Sequence, residues 1–196
     1  MSEIEHSTAK NRATRPAGRL KKTIVMVGMM GAGKTAVGRA LAARLGVPFL
    51  DSDAEIESAA NRTVPEIFER DGEPFFRLKE SQVIGRLLDE KCGVLSTGGG
   101  AFLAETNRRM ISERGVSIWL DADLNVLWNR VRHKDTRPLL RTADPRATLA
   151  EIYAVRVPVY ALADLSVVSD GRASIEEMVD RVLTALETRP DVLEPE

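Results

Sequence analysis

The sequence contains little cysteine, few aromatic residues and no long apolar run. Its 196 residues include a single cysteine, Cys92, which excludes an intramolecular disulfide framework and a multi-cysteine zinc site. A lone cysteine that opens an apolar run is typical of a partly buried structural thiol. No apolar stretch reaches membrane-spanning length, and the polar N-terminus lacks the apolar segment of a signal peptide. We therefore predict a cytoplasmic protein without a membrane partner.

The chain also lacks a dominant charge. The 28 basic and 29 acidic residues leave a formal net charge of -1, so no overall field attracts nucleic acid. An aromatic fraction of 5% also argues against a nucleic-acid-binding NTPase. The 43% of hydrophobic and 29% of charged residues are ordinary for a soluble globular domain. These values argue against nucleic-acid and membrane partners, and nothing in the sequence indicates an obligate oligomer, so a monomer is expected.

Composition divides the chain into three parts. Residues 1–21 are predicted to be a disordered extension with a basic second half; its early glutamates favour a solvated tail over a transit peptide or an anion-binding tail. Residues 22–188 are predicted to form one domain. Residues 189–196 contain two prolines and are expected to fray.

Short β-rich runs alternate with helical patterns through the predicted domain. The runs cover residues 23–27, 47–50, 93–96, 116–120 and 165–168, with helical stretches that include 53–60 and 64–90. Such alternation predicts an α/β fold with a five-stranded parallel sheet and helices on both faces. Ligands on these sheets bind at the carboxyl ends of the strands. Residues 133–146 are charged and have little periodicity, which predicts a mobile loop.

The first predicted strand is followed by a phosphate-binding motif, Gly28-Met29-Met30-Gly31-Ala32-Gly33-Lys34-Thr35. Its glycines allow backbone N–H groups to surround a phosphate, and the next helix begins with a favourable dipole. Lys34 is expected to reach the β- and γ-phosphates of ATP, and the Thr35 hydroxyl to bind Mg²⁺. A strand before the motif and a helix after it disfavour a plain glycine-rich turn. The predicted nucleotide contacts are Gly31, Ala32, Gly33, Lys34, Thr35 and Ala36.

Two acidic residues end the second predicted strand. Asp51 and Asp53, at spacing i, i+2, are suited to the two acidic roles of phosphoryl transfer. Asp51 is expected near Mg²⁺, and Asp53 is expected to orient the acceptor hydroxyl and take its proton. The alternative is helix capping by Asp53 or Ser52, which is compatible with catalysis.

Two further segments offer anion or backbone contacts, each with a structural alternative. Arg77 lies beside aromatic residues and three positions before Glu80, so it is either a carboxylate-binding fork or a surface ion pair. Gly98-Gly99-Gly100 closes the third strand and either admits a ligand close to the backbone or forms a tight turn.

Two arginines near the charged loop complete the candidate site. Arg137, followed by Pro138, is a candidate to stabilise transition-state charge and to close the site against water, the alternative being a charged loop that is only solvated. Arg156 is a further candidate anion contact on the following helix.

Together these segments resemble shikimate kinases. The resemblance spans residues 22–186 and rests on five segments in this order: Leu50-Asp51-Ser52-Asp53, Phe68 to Glu80, Gly98-Gly99-Gly100, Arg137-Pro138-Leu139-Leu140 and Arg156 to Tyr160. It implies a P-loop NTPase fold of three αβα layers, similar to nucleoside monophosphate kinases, with a mobile lid. It implies transfer of the γ-phosphoryl of ATP to the 3-hydroxyl of shikimate, with Mg²⁺ as cofactor.

The resemblance also implies roles for single residues. Asp53 would face the reacting hydroxyl, and the transferring phosphoryl would be stabilised by Lys34 and Arg137. Thr35 and Asp51 would organise Mg²⁺, and Glu80 would support Arg77. An arginine before the lid would stack on adenine, and we assign Arg132, with Arg130 as the alternative. The residues expected to hold shikimate are Asp53, Arg77, Gly99 and Arg156.

Three other functions compete with this interpretation. A gluconate kinase would share the phosphate-binding motif but lack the paired arginines for a carboxylate. A nucleoside monophosphate kinase would need a base-recognition set, which the sequence does not offer. A regulatory module without catalysis would be expected to lose Asp53 or Arg137, and both are present.

Overall fold

A computed structural model describes residues 18–134 and 138–195. The chain alternates strands and helices through most of this length. In order, the elements are β1 (Arg19–Leu20), β2 (Thr23–Val27), α1 (Lys34–Leu45), β3 (Phe49–Asp51), α2 (Ser52–Ala60), α3 (Val64–Asp71), α4 (Glu73–Glu90), β4 (Val94–Ser96), α5 (Glu105–Arg114), β5 (Gly115–Ala122), α6 (Leu124–Val131), α7 (Pro145–Tyr160), β6 (Leu165–Ser169), α8 (Ile175–Leu186) and β7 (Leu193–Glu194).

The central sheet has five parallel strands in the order β3-β4-β2-β5-β6. Strand β2 lies in the middle, and Ile24, Val25 and Met26 are fully buried because helices cover both faces. The helix pairs α1 with α8 and α4 with α5 pack together in the two outer layers. The predicted three-layer α/β fold is confirmed. The carboxyl ends of β2, β3 and β4 meet at one edge, as expected for parallel strands.

The predicted helical stretch 64–90 is wrong as a single element. Gly72 has φ +84° and separates α3 from α4, and Pro74 follows in the first turn of α4. Ile56, Ile67 and Phe76 form a small hydrophobic cluster that joins α2, α3 and α4, separate from the main core. The break at Gly72 thus produces a small helical lobe at the edge of the sheet.

The two ends of the described chain pair with each other. Strand β1 is antiparallel to β7, with Arg19 opposite Glu194, and we call this pair the terminal clasp. The clasp is fastened by a Lys22–Asp191 ion pair of 3.0 Å and by Val192, which is fully buried. Residues 19–20 and 193–194 are therefore ordered, and the predictions of disorder up to residue 21 and of a frayed tail are wrong for them. Prolines flank the tail but do not interrupt its pairing, and residues 1–17 lie outside the described residues.

Cys92 is exposed in this structure, and its thiol lies 3.7 Å from the Leu20 carbonyl oxygen. Burial of part of the side chain raises its pKa, which disfavours the reactive thiolate. Across residues 18–134 and 138–195, the helices are all too short or too polar to cross a bilayer.

Candidate active site

The phosphate-binding motif forms a loop between β2 and α1 whose shape depends on three glycines. Gly28, Gly31 and Gly33 have φ of +141°, +80° and +96°, values that residues with a side chain rarely adopt. At Gly31 a Cβ atom would also lie 2.7 Å from a methyl group of Val131. Helix α1 begins at Lys34, so its first N–H groups and its positive dipole end face the loop. This geometry is suited to binding phosphate.

Two cationic side chains hold carbonyl groups of this loop. The Lys34 ammonium donates to the carbonyl oxygens of Gly28 at 2.8 Å and Met29 at 2.9 Å. Arg130 donates to the carbonyl oxygens of Gly31 at 3.1 Å and Ala32 at 3.3 Å. Positive charge is therefore concentrated around a loop that is already favourable to anions.

Arg130, and not Arg132, lines the cavity beside this loop. Arg130 comes from the last turn of α6 and also donates to the Ser169 hydroxyl at 3.3 Å. Arg132 is exposed, contacts His133 and borders a different, smaller cavity. The geometry favours Arg130 over Arg132 as the arginine beside the phosphate-binding loop, since two positions along a helix place side chains on nearly opposite faces. Which of the two contacts adenine stays a prediction. Arg137 lies outside the described residues.

The main cavity has a volume of about 640 Å³ and lies at the carboxyl edge of the sheet. Both aspartates and the first two residues of the glycine triplet, Gly98 and Gly99, line it. Arg130 and residues of the β6–α8 segment line it as well. It is lined by the predicted nucleotide-contact residues Gly31, Ala32, Gly33, Lys34, Thr35 and Ala36.

The two aspartates have different surroundings. Asp51 caps α2, where its Oδ1 accepts a hydrogen bond of 3.0 Å from the Ala54 N–H. The capping role thus belongs to Asp51, although the sequence suggested Asp53 or Ser52. Asp53 is in the first turn of α2, and its Oδ1 is buried without a hydrogen-bond partner among the described residues. An unpaired buried oxygen that borders a cavity is available to a ligand hydroxyl.

The pKa of Asp53 is raised from 3.8 to about 6. Burial is the largest cause, and the neighbouring carboxylates of Asp51 and Glu57 raise the pKa further. Lys34 and Arg77 act in the opposite direction but are outweighed. A carboxylate with this pKa is ionised at neutral pH and is a much better proton acceptor than an ordinary aspartate.

Each glycine of the Gly98–Gly100 triplet is covered by a different charged side chain. A Cβ atom at Gly98 would lie 2.9 Å from an oxygen of Asp53, and one at Gly99 would lie 3.0 Å from a nitrogen of Arg156. At Gly100 it would lie 2.4 Å from a nitrogen of Arg77. None of the three has a positive φ, so glycine is required here for close approach. The four residues predicted to hold shikimate therefore converge on this segment.

Arg77 is the most extensively supported of these cations. It donates to Glu80 at 2.9 Å, and Glu80 is 1% exposed with its second oxygen unpaired among the described residues. Its guanidinium also donates to the Glu73 carboxylate at 3.3 Å and lies over the rings of Phe68 and Phe76, at 5.9 and 5.3 Å from their centroids. Because Glu80 is buried, the Arg77–Glu80 pair is not the surface ion pair that the sequence left open as an alternative. Such a fixed, planar cation is suited to a carboxylate.

Sequence reasoning placed one contributor to the site second and missed another. Arg130 was the alternative to Arg132 for the adenine contact, and Tyr160 was noted only as part of a motif. Tyr160 is fully buried, and its hydroxyl donates a short hydrogen bond to the Gly99 carbonyl oxygen. The i, i+4 spacing of Arg156 and Tyr160 on a predicted helix was a signal that could have indicated a shared face.

The oxygen donors near the phosphate-binding loop fit Mg²⁺. Thr35 and Asp51 border the same cavity, and Mg²⁺ is usually held by one or two such oxygens together with water and substrate phosphates. Over the described ranges no cluster of three or more acidic, histidine or cysteine residues could enclose a metal by itself. A metal here would therefore depend on oxygens from the nucleotide.

Comparisons with known proteins agree with this geometry. A family model described as shikimate kinase matches residues 30–187. A curated relative, the shikimate kinase of Ruegeria pomeroyi, is 75% identical over 99% of this chain and 99% of its own length. A solved shikimate kinase from Acinetobacter baumannii, in complex with shikimate, is 36% identical with a TM-score of 0.80, and the match covers 85% of this chain and 93% of that one.

A more distant likeness bears on the competing interpretation. A solved gluconokinase from Sinorhizobium meliloti has a TM-score of 0.57 at 20% identity, over 87% of this chain and 94% of that one, which shows a common fold alone. The identity to curated shikimate kinases extends over the full length of the chain, and it shows the family as well as the fold. The chain belongs to the shikimate kinase family, and so to the ATP-dependent phosphotransferases.

Proposed function

We propose that this protein transfers the γ-phosphoryl of ATP to the 3-hydroxyl of shikimate, giving shikimate 3-phosphate and ADP. The observation that carries the proposal is the convergence of one buried carboxylate and two guanidinium groups on the Gly98–Gly100 segment, beside the phosphate-binding loop. A hydroxyl and a carboxylate on one rigid ring are the groups that such a set would bind.

On the acceptor side, Arg77 and Arg156 hold the shikimate carboxylate, and Gly99 contacts the ring. Asp53 accepts a hydrogen bond from the reacting hydroxyl through its otherwise unpaired buried oxygen. The raised pKa of Asp53, about 6, supports its role as the proton acceptor at neutral pH. The acceptor oxygen is thereby directed at the γ-phosphorus.

On the donor side, the loop around Gly31 and Gly33 surrounds the β-phosphate, and Arg130 stacks on adenine. Transfer is direct and in line: a bond forms between the acceptor oxygen and the γ-phosphorus while the bond from that phosphorus to the β–γ bridging oxygen breaks. The proton of the hydroxyl passes to Asp53. Lys34 and Arg137 stabilise the charge of the transferring group. Mg²⁺, bound by Thr35 and Asp51, would neutralise charge on the phosphates.

A coupled ADP-release assay with Mg·ATP tests the proposal, with shikimate, gluconate or no acceptor as parallel arms. We expect ADP release that depends on shikimate, and loss of that release in Asp53→Asn. Release with gluconate alone would keep the kinase and refute the acceptor. No acceptor-dependent release from a protein shown to bind ATP would favour the regulatory module. Replacing Mg²⁺ with a chelator should abolish release.

The remaining expectations concern the state of the protein. We propose a cytoplasmic monomer whose residues 133–146 act as a lid, as its sequence predicts. Light scattering after size-exclusion chromatography would test the monomer, and a mass of two chains would refute it.

A further inference from the structure

The backbone that forms the acceptor side is held by hydrogen bonds from three different elements. Within residues 98–103, every carbonyl oxygen accepts a hydrogen bond. Two are bonded within the turn itself, since Gly98 accepts from the Ala101 N–H and Gly100 from the Leu103 N–H, each at 3.1 Å. Side chains of α5 bond those further along, through Asn107 and Arg108. This leaves the Gly99 carbonyl, which the turn cannot satisfy.

Tyr160 supplies the missing donor from a different element. Its hydroxyl, at the end of α7, donates to the Gly99 carbonyl oxygen, and its ring lies 6.5 Å from that of Trp119. Tyr160 is fully buried, so water does not compete for this bond. The bond joins the centre of the glycine triplet directly to the helix that carries Arg156.

The same hydroxyl lies beside Arg156, one helical turn earlier, because both side chains face Gly99. A Cβ atom at Gly99 would lie 3.0 Å from a nitrogen of Arg156 and 3.7 Å from the Tyr160 hydroxyl oxygen. Burial raises the pKa of Tyr160, and the neighbouring charge of Arg156 opposes this with a smaller influence. Gly99, Arg156 and Tyr160 therefore lie together. Gly99 and Arg156 belong to the proposed acceptor site, and Tyr160 lies behind them.

We propose that Tyr160 is a positioning residue for the acceptor, which fixes the Gly99 peptide and Arg156 relative to each other through its hydroxyl. The peptide unit is planar, so fixing the Gly99 carbonyl also fixes the direction of the Gly100 N–H. Loss of the hydroxyl would leave a buried carbonyl oxygen unpaired and allow the triplet to rotate. This inference rests on the proposed function, because it assigns Gly99 and Arg156 to shikimate.

Tyr160→Phe tests the inference because it keeps the ring and removes only the hydroxyl. We expect the KM for shikimate to rise about five- to tenfold, with the KM for ATP and kcat changed by less than about twofold. The matched control is Tyr153→Phe, since Tyr153 is the chain's other tyrosine and lies on the same helix. A structural role alone would lower the melting temperature without separating the two KM values.

Amide hydrogen exchange provides a second measurement that does not require turnover. Residues 99–101 should exchange faster in Tyr160→Phe than in the unmodified protein or Tyr153→Phe. Unchanged exchange together with an unchanged KM for shikimate would overturn the inference. If the unmodified protein showed no shikimate-dependent turnover, the proposed function would fail, and faster exchange would still confirm that the hydroxyl holds the triplet.

Discussion

The donor and acceptor sides of the site are adjacent but are built differently. The donor side comes from one continuous segment, the nine residues 28–36. Its glycines are needed because the backbone there has positive φ. The acceptor side takes side chains from α2, α4 and α7 and packs them on glycines whose backbone is ordinary. Backbone conformation determines the first, and the space left by missing Cβ atoms determines the second.

The two sides also differ in what supports them. The phosphate-binding loop packs on the main core, with Met29 and Ala32 almost fully buried. Arg77 extends from a small lobe held by three buried apolar side chains. A region with so few buried contacts is expected to open more easily than the core. A kinase of this construction can keep its phosphate site rigid while its acceptor site adapts.

The largest effect is expected from Lys34→Ala, on the donor side. Removing the ammonium removes charge stabilisation of the transferring phosphoryl, so kcat should fall about 100- to 1,000-fold. Steady-state kinetics would measure this, with exposed Lys79→Ala as the control. Near-normal turnover would contradict the assignment of the loop to the γ-phosphate.

An intermediate effect is expected from pH. Asp53 must be ionised to accept a proton, so with a pKa of about 6 the activity should fall nearly tenfold for each pH unit below that value. A pH–rate profile that stays flat down to pH 4.5 would count against Asp53 as the base.

The same raised pKa has a consequence for stability with a defined sign. The folded protein binds the Asp53 proton more tightly than the unfolded chain, so stability is lost as pH rises from 3.8 to about 6. Asp53→Asn should therefore raise the free energy of unfolding at pH 7.5, by up to about 3 kcal/mol, and have little effect near pH 4. Chemical denaturation at both pH values would measure this difference.

The smallest effect is expected from Gly100→Ala, which tests the steric explanation of the acceptor side. Gly100 has φ −89° and ψ −13°, which alanine adopts freely, so the substitution acts only through the clash of the new Cβ atom with the Arg77 guanidinium. The KM for shikimate should rise about tenfold, by displacement of Arg77, while the KM for ATP stays the same.

Gly46→Ala is the matched control for this prediction. Gly46 has open space around it but a φ of +65°, so its substitution should reduce stability and leave both KM values unchanged. An equal rise of both KM values in Gly100→Ala would refute the steric explanation.

The sequence predicts well what is local in this molecule. The phosphate-binding loop, the five strands and the acidic pair follow from short motifs and apolar periodicity. The choice between Arg130 and Arg132 depends on which face of α6 is turned toward the cavity. The apolar pattern of so short a helix does not define that face. The strand around Leu193 was missed because its partner near Leu20 lies at the other end of the described chain. The steric need for glycine at position 100 could not be predicted from the sequence, because it arises from Arg77, a side chain of α4.

The terminal clasp has a consequence for the order in which the molecule is completed. Every β1–β7 contact joins residues separated by nearly the whole described chain, so closing it has a high entropic cost until the sheet is formed. On the ribosome, β1 emerges before the other described elements and must wait for β7, which is made after all of them. The clasp is therefore expected to be the last of the described strand pairings to form during synthesis, closing only after the elements that carry the site have been made.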